Sequence, residues 1–112
     1  MNINNIETAN GNLIIVLSGE MDAQGCSKIR PELEEFSKQA HPHTVLDIGQ
    51  VSFIDSSGIG AIVFLFKRLK EQGRSLEIVG VQGQPQVLMT LLRIDAAIPL
   101  SIAEQSKQQR EA

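Results

Sequence analysis

Asp55, Ser56 and Ser57 stand where the apolar segment Val51-Ser52-Phe53-Ile54 gives way to an amphipathic run beginning at Gly58. A helix starting here presents free N–H groups and a partial positive charge, a setting that accepts an anion. A serine at such a point can be a helix cap, a nucleophile or a phosphoacceptor. A nucleophile elbow, G-x-S-x-G, would need a glycine where Ile54 stands. A phosphate-cradling loop would need a lysine beside its glycines, but after Gly58-Ile59-Gly60 the first lysine is Lys67. A dinucleotide fingerprint would need a third glycine where Val63 stands. Capping and phosphoacceptance remain.

The other reactive side chains assemble no catalytic set. Asp47 and Asp55 are the carboxylates nearest the helix start, and paired acids do acid–base work. Nothing else catalytic accompanies them, so Asp47 is read as ending a strand and Asp55 as capping or shaping the turn. His41-Pro42-His43 lacks a third metal ligand and reads as an exposed loop. Cys26 falls on an apolar helix face with no flanking cation to favour thiolate, which makes it a buried thiol. The sequence predicts no metal, no cofactor and no enzymatic activity.

The elements that position these residues can be read from hydrophobic period and turn chemistry. Residues 2–8 form an edge strand, and Asn10-Gly11 is a hairpin turn. Leu13 to Leu17 is a buried strand. Asp22 caps a helix from about Ala23, with Cys26, Ile29, Leu33 and Phe36 inward and Pro31 kinking it or delaying its start. Thr44 to Ile48 is a strand, and the helix after Ser56 runs from about Ser57 to Gln72, stopped by Gly73. Leu76 to Val79 is a strand. Pro85 opens a helix with Val87, Leu88, Leu91 and Leu92 as its apolar residues. Ile98-Pro99-Leu100 is extended. A last helix begins at Ser101, with Glu104 completing a capping box. The order is β-β-α-β-α-β-α-β-α. It specifies an α/β fold, a mixed four- to five-stranded sheet with about four helices, in a single domain over residues 1–112 with a polar tail from about 105.

Size and composition agree. A chain of 112 residues with 42% hydrophobic content supports one core, which buries roughly two thirds of the unfolded surface. The net charge of -3 and the lack of Trp and Tyr disfavour nucleic acid as a partner. No apolar run approaches the roughly 20 residues of a membrane span, so direct membrane insertion is not expected. A lone cysteine and the absence of a signal-like N-terminus suit a cytoplasmic protein.

Leu46-Asp47-Ile48 followed by Val51-Ser52-Phe53-Ile54-Asp55-Ser56-Ser57-Gly58-Ile59-Gly60 resembles the signature of the anti-sigma factor antagonists of the STAS domain family. Ser18-Gly19-Glu20-Met21-Asp22 resembles that family's segment after the second strand, and the element order and length match as well. The resemblance implies that Ser56 is a phosphoacceptor. It implies partner switching: the unmodified form binds a serine protein kinase that is often itself the anti-sigma factor, phosphorylation releases it, and a protein phosphatase resets the switch. Arg93-Ile94 departs from the family pattern, which often has Gly-Leu there, and so removes an easy helix C-cap.

Helical phasing puts Ile59, Ile62, Val63, Phe66 and Leu69 on the core face of the second helix and Phe64 nearly opposite, as a partner contact. Gly58 and Gly60 would admit a partner backbone. With Asp22, Asp55 and Ser57, Phe64 and Gly58 complete the expected partner-binding surface. An alternative from a different class is a non-phosphorylated STAS subunit of a lipid-transport ABC transporter, which Thr or Ala at position 56 would have favoured. A small-ligand or nucleotide binder is disfavoured by the missing phosphate-cradling lysine.

Overall fold

The structure, a computed structural model, describes residues 1–103. Strands β1 (Asn2–Glu7) and β2 (Leu13–Met21) form the hairpin whose turn closes through Gly11 N donating to Thr8 O at 3.0 Å. Helix α1 (Ala23–Lys38), strand β3 (His43–Ile54), helix α2 (Ser56–Glu71), strand β4 (Ser75–Val81), helix α3 (Gly83–Leu91), a 3-10 turn (Ile94–Ala96) and strand β5 (Leu100–Ile102) follow. The sheet has the order β1-β2-β3-β4-β5, with β1 antiparallel to β2 and the remaining pairs parallel.

Strand alternation builds the core. Leu13, Ile15 and Leu17 of β2, Leu46 and Ile48 of β3, and Leu76 and Ile78 of β4 point to one face and are buried. Ile29, Leu33 and Phe36 of α1, Ile62, Leu65 and Leu69 of α2, and Met89 of α3 join them in one cluster. The intervening strand residues, among them Ile14, Val16, Val45 and Val79, stay half-buried on the other face. Burying a Leu or Ile side chain contributes about 1.5–3 kcal/mol, so this aliphatic layer dominates the stability.

Several expectations are corrected. Pro31 does not delay α1: the helix runs unbroken from Ala23 to Lys38 with Pro31 inside it. Pro31 is exposed, so the carbonyl left without its N–H partner lies on the solvent side. Asp47 does not end a strand. Its Oδ1 accepts from Gly49 N at 2.9 Å and shapes a bulge, through which β3 continues to Ile54. His41 and His43 are not an exposed loop. His41 is buried with Nε2 3.0 Å from Glu7 Oε2, whereas His43 opens β3 with Nδ1 2.6 Å from Ser75 Oγ and Nε2 2.8 Å from Glu77 Oε1. The two imidazoles therefore serve different neighbours.

On α3 the expected apolar face is mis-phased. Pro85 and Met89 are buried and Leu88 half-buried, whereas Val87 is 59% and Leu91 73% exposed, with Leu92 exposed too. Gln84 sets the rotation: its Oε1 accepts from Ile54 N and its Nε2 donates to Ile54 O, both at 2.8 Å. On α2 the core face includes Leu65, while Ile59, Val63 and Phe66 are only half-buried. A helix does not begin at Ser101, which lies in β5. The remainder of that expected helix, with Glu104 and the polar tail, lies outside the described residues. These hold three α-helices and the 3-10 turn.

The helix ends show how the connections are held. After α2, Gly73 takes a left-handed conformation with φ 72°, and Arg74 N donates to Leu69 O at 2.8 Å, a Schellman closure. The Arg74 guanidinium then reaches the end of α1, donating to Phe36 O, Ser37 O and His41 O. After α3 the equivalent left-handed position falls on Arg93, with φ 55° and ψ 42°. A non-glycine residue is strained there by about 1–2 kcal/mol. Arg93→Gly is therefore expected to stabilise the fold by about 0.5–1 kcal/mol, glycine's greater unfolded-state entropy offsetting part of the relief. A urea titration should show a higher midpoint with an unchanged slope.

Candidate functional site

Parallel strands β2 and β3 end side by side, with Met21 paired to Ile54. Each passes directly into a helix through an aspartate. Asp22 accepts from Gly25 N at 2.8 Å and caps α1; Asp55 accepts from Ser57 N at 2.8 Å and Gly58 N at 3.3 Å and caps α2. Short acids fit here because their side-chain oxygen reaches the free N–H groups of the first turn. Asp55 N in turn donates to Met21 O at 3.3 Å, tying the two junctions together.

The same turn decides which way each residue faces. Gly58 is buried: a Cβ there would lie 2.5 Å from Ile54 Cγ1 and 2.7 Å from Met21 O. The close approach that Gly58 permits is thus to the chain's own β2 and β3. The expectation that it admits a partner is corrected. Gly60 has nothing within 4 Å of such an atom and stays open. With Gly58 turned in, Ser56, the first residue of α2, is exposed, and Ser57 is half-buried.

Helices α1 and α2 enclose a groove of about 330 Å³ between them. Ser56, Ser57 and Phe64 line it from α2; Cys26, Arg30 and Leu33 line it from α1. Phe64 is 38% exposed at the groove and lies under the Arg68 guanidinium, 5.1 Å from the ring centroid. Cys26 is buried beside the two caps. Burial pushes its thiol up from the ordinary value, Asp55 and Asp22 push it further, and Arg30 pulls it back. A cation is therefore present near Cys26, contrary to the sequence reading, but burial and the two carboxylates outweigh it and keep the thiol protonated and unreactive.

Of the expected site residues, Asp55, Ser56, Ser57 and Phe64 gather along the first turns of α2, and Asp22 stands at the adjacent helix start. Arg30 and Gln84 were not anticipated. Arg30 is one residue beyond Ile29 on the stripe that α1 buries, so its period marks it only as flanking the core. Which helix it faces depends on the α1–α2 pairing. Among the described residues no three His, Cys, Asp or Glu side chains cluster as a metal site.

A STAS domain family model matches residues 4–107. The chain belongs to the STAS domain family. A relative from Paenibacillus polymyxa, named anti-sigma F factor antagonist, is 28% identical over 96 residues, 85% of this chain and 82% of the relative. A STAS domain protein from Planctomyces limnophilus, described as an anti-sigma-factor antagonist, superposes with a TM-score of 0.79 at 21% identity, covering 98% of this chain and 97% of that one. The anti-sigma factor antagonist SpoIIAA superposes in its unphosphorylated form with a TM-score of 0.68 at 17% identity, covering 98% and 96% of the two chains. Its phosphorylated Bacillus form gives 0.69 at 16% identity, covering 96% and 98%. At such identities the structures share a fold.

The inward packing of Gly58 makes a direct prediction. Gly58→Ala should destabilise the protein by about 1–3 kcal/mol, because backbone and core atoms must move to admit the methyl group. Gly60→Ala, two residues on and in open space, should be neutral or stabilise by up to about 1 kcal/mol through helix propensity. Thermal melts of the two variants beside wild type test the contrast.

Proposed function

We propose that this STAS domain is a partner-switching regulator of the anti-sigma factor antagonist type. Its unmodified form binds a serine protein kinase that acts as an anti-sigma factor; phosphorylation of Ser56 releases that partner, and a protein phosphatase restores binding. The role is regulatory and not catalytic. The observation that carries this reading is the exposed Ser56 hydroxyl at the first residue of α2, beside a cap already supplied by Asp55. Ser56 is not needed for folding as a cap, so its hydroxyl is open to a kinase.

The relatives' names support the same role, and both the unphosphorylated and the phosphorylated form of SpoIIAA superpose on this chain. Phosphorylation adds a charge of about -1.5 to -2 and strong acceptor oxygens at the surface. Asp22 and Asp55 lie alongside, so the local field becomes strongly negative. A loss of about 3–4 kcal/mol at the interface weakens binding several-hundred-fold. Asp22, Asp55, Ser57 and Phe64 form the surface that we assign to the partner. Asp22 and Asp55 contribute mainly by shaping the two junctions, and Phe64 by offering an apolar ring at the groove.

The test is an affinity capture from native cytosol with wild-type, Ser56→Ala, Ser56→Asp and Phe64→Ala baits, recording intact mass on each. A kinase-like partner held by wild type and Ser56→Ala, lost with Ser56→Asp and reduced with Phe64→Ala, is expected, together with a phosphate increment absent from Ser56→Ala. Equal capture by all four baits with no phosphate on any would reject the reading and leave the transporter-subunit class.

A further inference from the structure

We infer that the phosphate on Ser56, once formed, is held across the α1–α2 groove by Arg30. The inference rests on Ser56 being the phosphoacceptor and adds the group that receives its charge. A phosphate at the start of a helix ordinarily takes the free N–H groups of the first turn. Here Asp55 already occupies two of them, accepting from Ser57 N at 2.8 Å and Gly58 N at 3.3 Å. Asp55 and Asp22 are also anionic and repel a phosphate. The dianion therefore needs a cation from elsewhere.

Arg30 is the cation among the residues lining the groove that Ser56 opens into. Among the described residues it has no carboxylate within 4.0 Å, since the ion pairs present are His41–Glu7 and His43–Glu77. It is exposed and lines the groove. Side chains on a helix lean toward its N-terminus and cover the preceding turn. Arg30 therefore leans over Cys26, toward the end of the groove where Ser56 stands. Its charge is felt at the Cys26 thiol, as are those of Asp55 and Asp22. Gly60 opposite adds no side chain to block the path. A guanidinium binds phosphate oxygens through paired N–H donors, which suits this geometry.

The consequence is a two-part switch. In the unmodified protein the groove presents a guanidinium with no ion-pair partner among the described residues, and the Phe64 ring. In the phosphorylated protein the phosphate occupies the groove and neutralises Arg30, so the same event adds a charge and withdraws a cation from the partner. The titratable groups around the phosphate are Cys26, Arg30 and Glu34, which line the groove from α1, with Asp22 and Asp55 at the caps of the two helices. Of these, Arg30 favours the dianion and the carboxylates oppose it.

The experiment installs phosphoserine at position 56 by genetic-code expansion in the full chain and follows the phosphorus-31 shift with pH. The second ionisation of a phosphoserine ordinarily lies near pH 6. Arg30→Gln is expected to raise it by at least about half a unit relative to the wild-type background, as expected for removing an opposite charge within reach. Arg68→Gln, which removes the cation over Phe64, should leave it unchanged. Identical titrations with and without Arg30, in chains of equal melting temperature, would overturn the inference. The phosphate is placed chemically, so the result does not depend on any kinase. A failed capture experiment would reject the phosphoacceptor reading without touching this titration, and the converse also holds.

Discussion

The close contact of Gly58 with Met21 and Ile54 governs the arrangement of the site. A side chain at that position would collide with the ends of both central strands. Its absence lets the first turn of α2 settle directly on the sheet. Asp55 can then cap that turn and donate its own N–H to Met21 O at the same time. Once Gly58 faces inward, helical geometry turns Ser56 outward. The Ser56 hydroxyl is thus positioned by packing beneath it and needs no dedicated ligand. Gly25 occupies the corresponding place on α1, after Asp22, so the paired junctions share one construction.

A phospho-switch at Ser56, as proposed above, would separate stability from signalling. The aliphatic core lies under α1 and α2, and none of its members touches solvent appreciably. Capping is done by carboxylates already bonded to backbone N–H groups. A charge added at Ser56 meets the groove and its rim but not the core. The energetic effect therefore appears where a second protein binds. A regulator that must cycle between two forms gains from this, because neither form has to refold.

The sequence made much of this legible, for local reasons. An aspartate before a helical period and a glycine in its first turn are signals within a few residues of each other. The capping by Asp22 and Asp55 and the start of α2 could therefore be read from short segments. Gly73 as the stop of α2 follows from the left-handed conformation that glycine adopts freely. The missed features depend on contacts distant in sequence. The rotation of α3 is set by Gln84 gripping the end of β3, and its many leucines and valine offer more than one plausible apolar face. The burial of His41 depends on Glu7 and on Arg74, which reaches back to the end of α1. Arg30 faces the groove only because α1 and α2 lie side by side. Pro31 does not mark the start of α1 because the hydrogen bond it removes lies on the exposed side of the helix. Gly58 was assigned to a partner because the sequence shows a missing side chain without showing what fills the space.

The central claim is that phosphorylation of Ser56 rewrites a surface and leaves the fold in place. Amide spectra of the unmodified and Ser56-phosphorylated chains, recorded under matched conditions, test it most directly. The account predicts shifts confined to the first turns of α2 and the facing turns of α1 around Cys26 to Glu34, with the β2–β4 resonances unmoved. Changes spreading through the buried strand residues, or a loss of dispersion across the spectrum, would contradict it and make the modification a conformational switch.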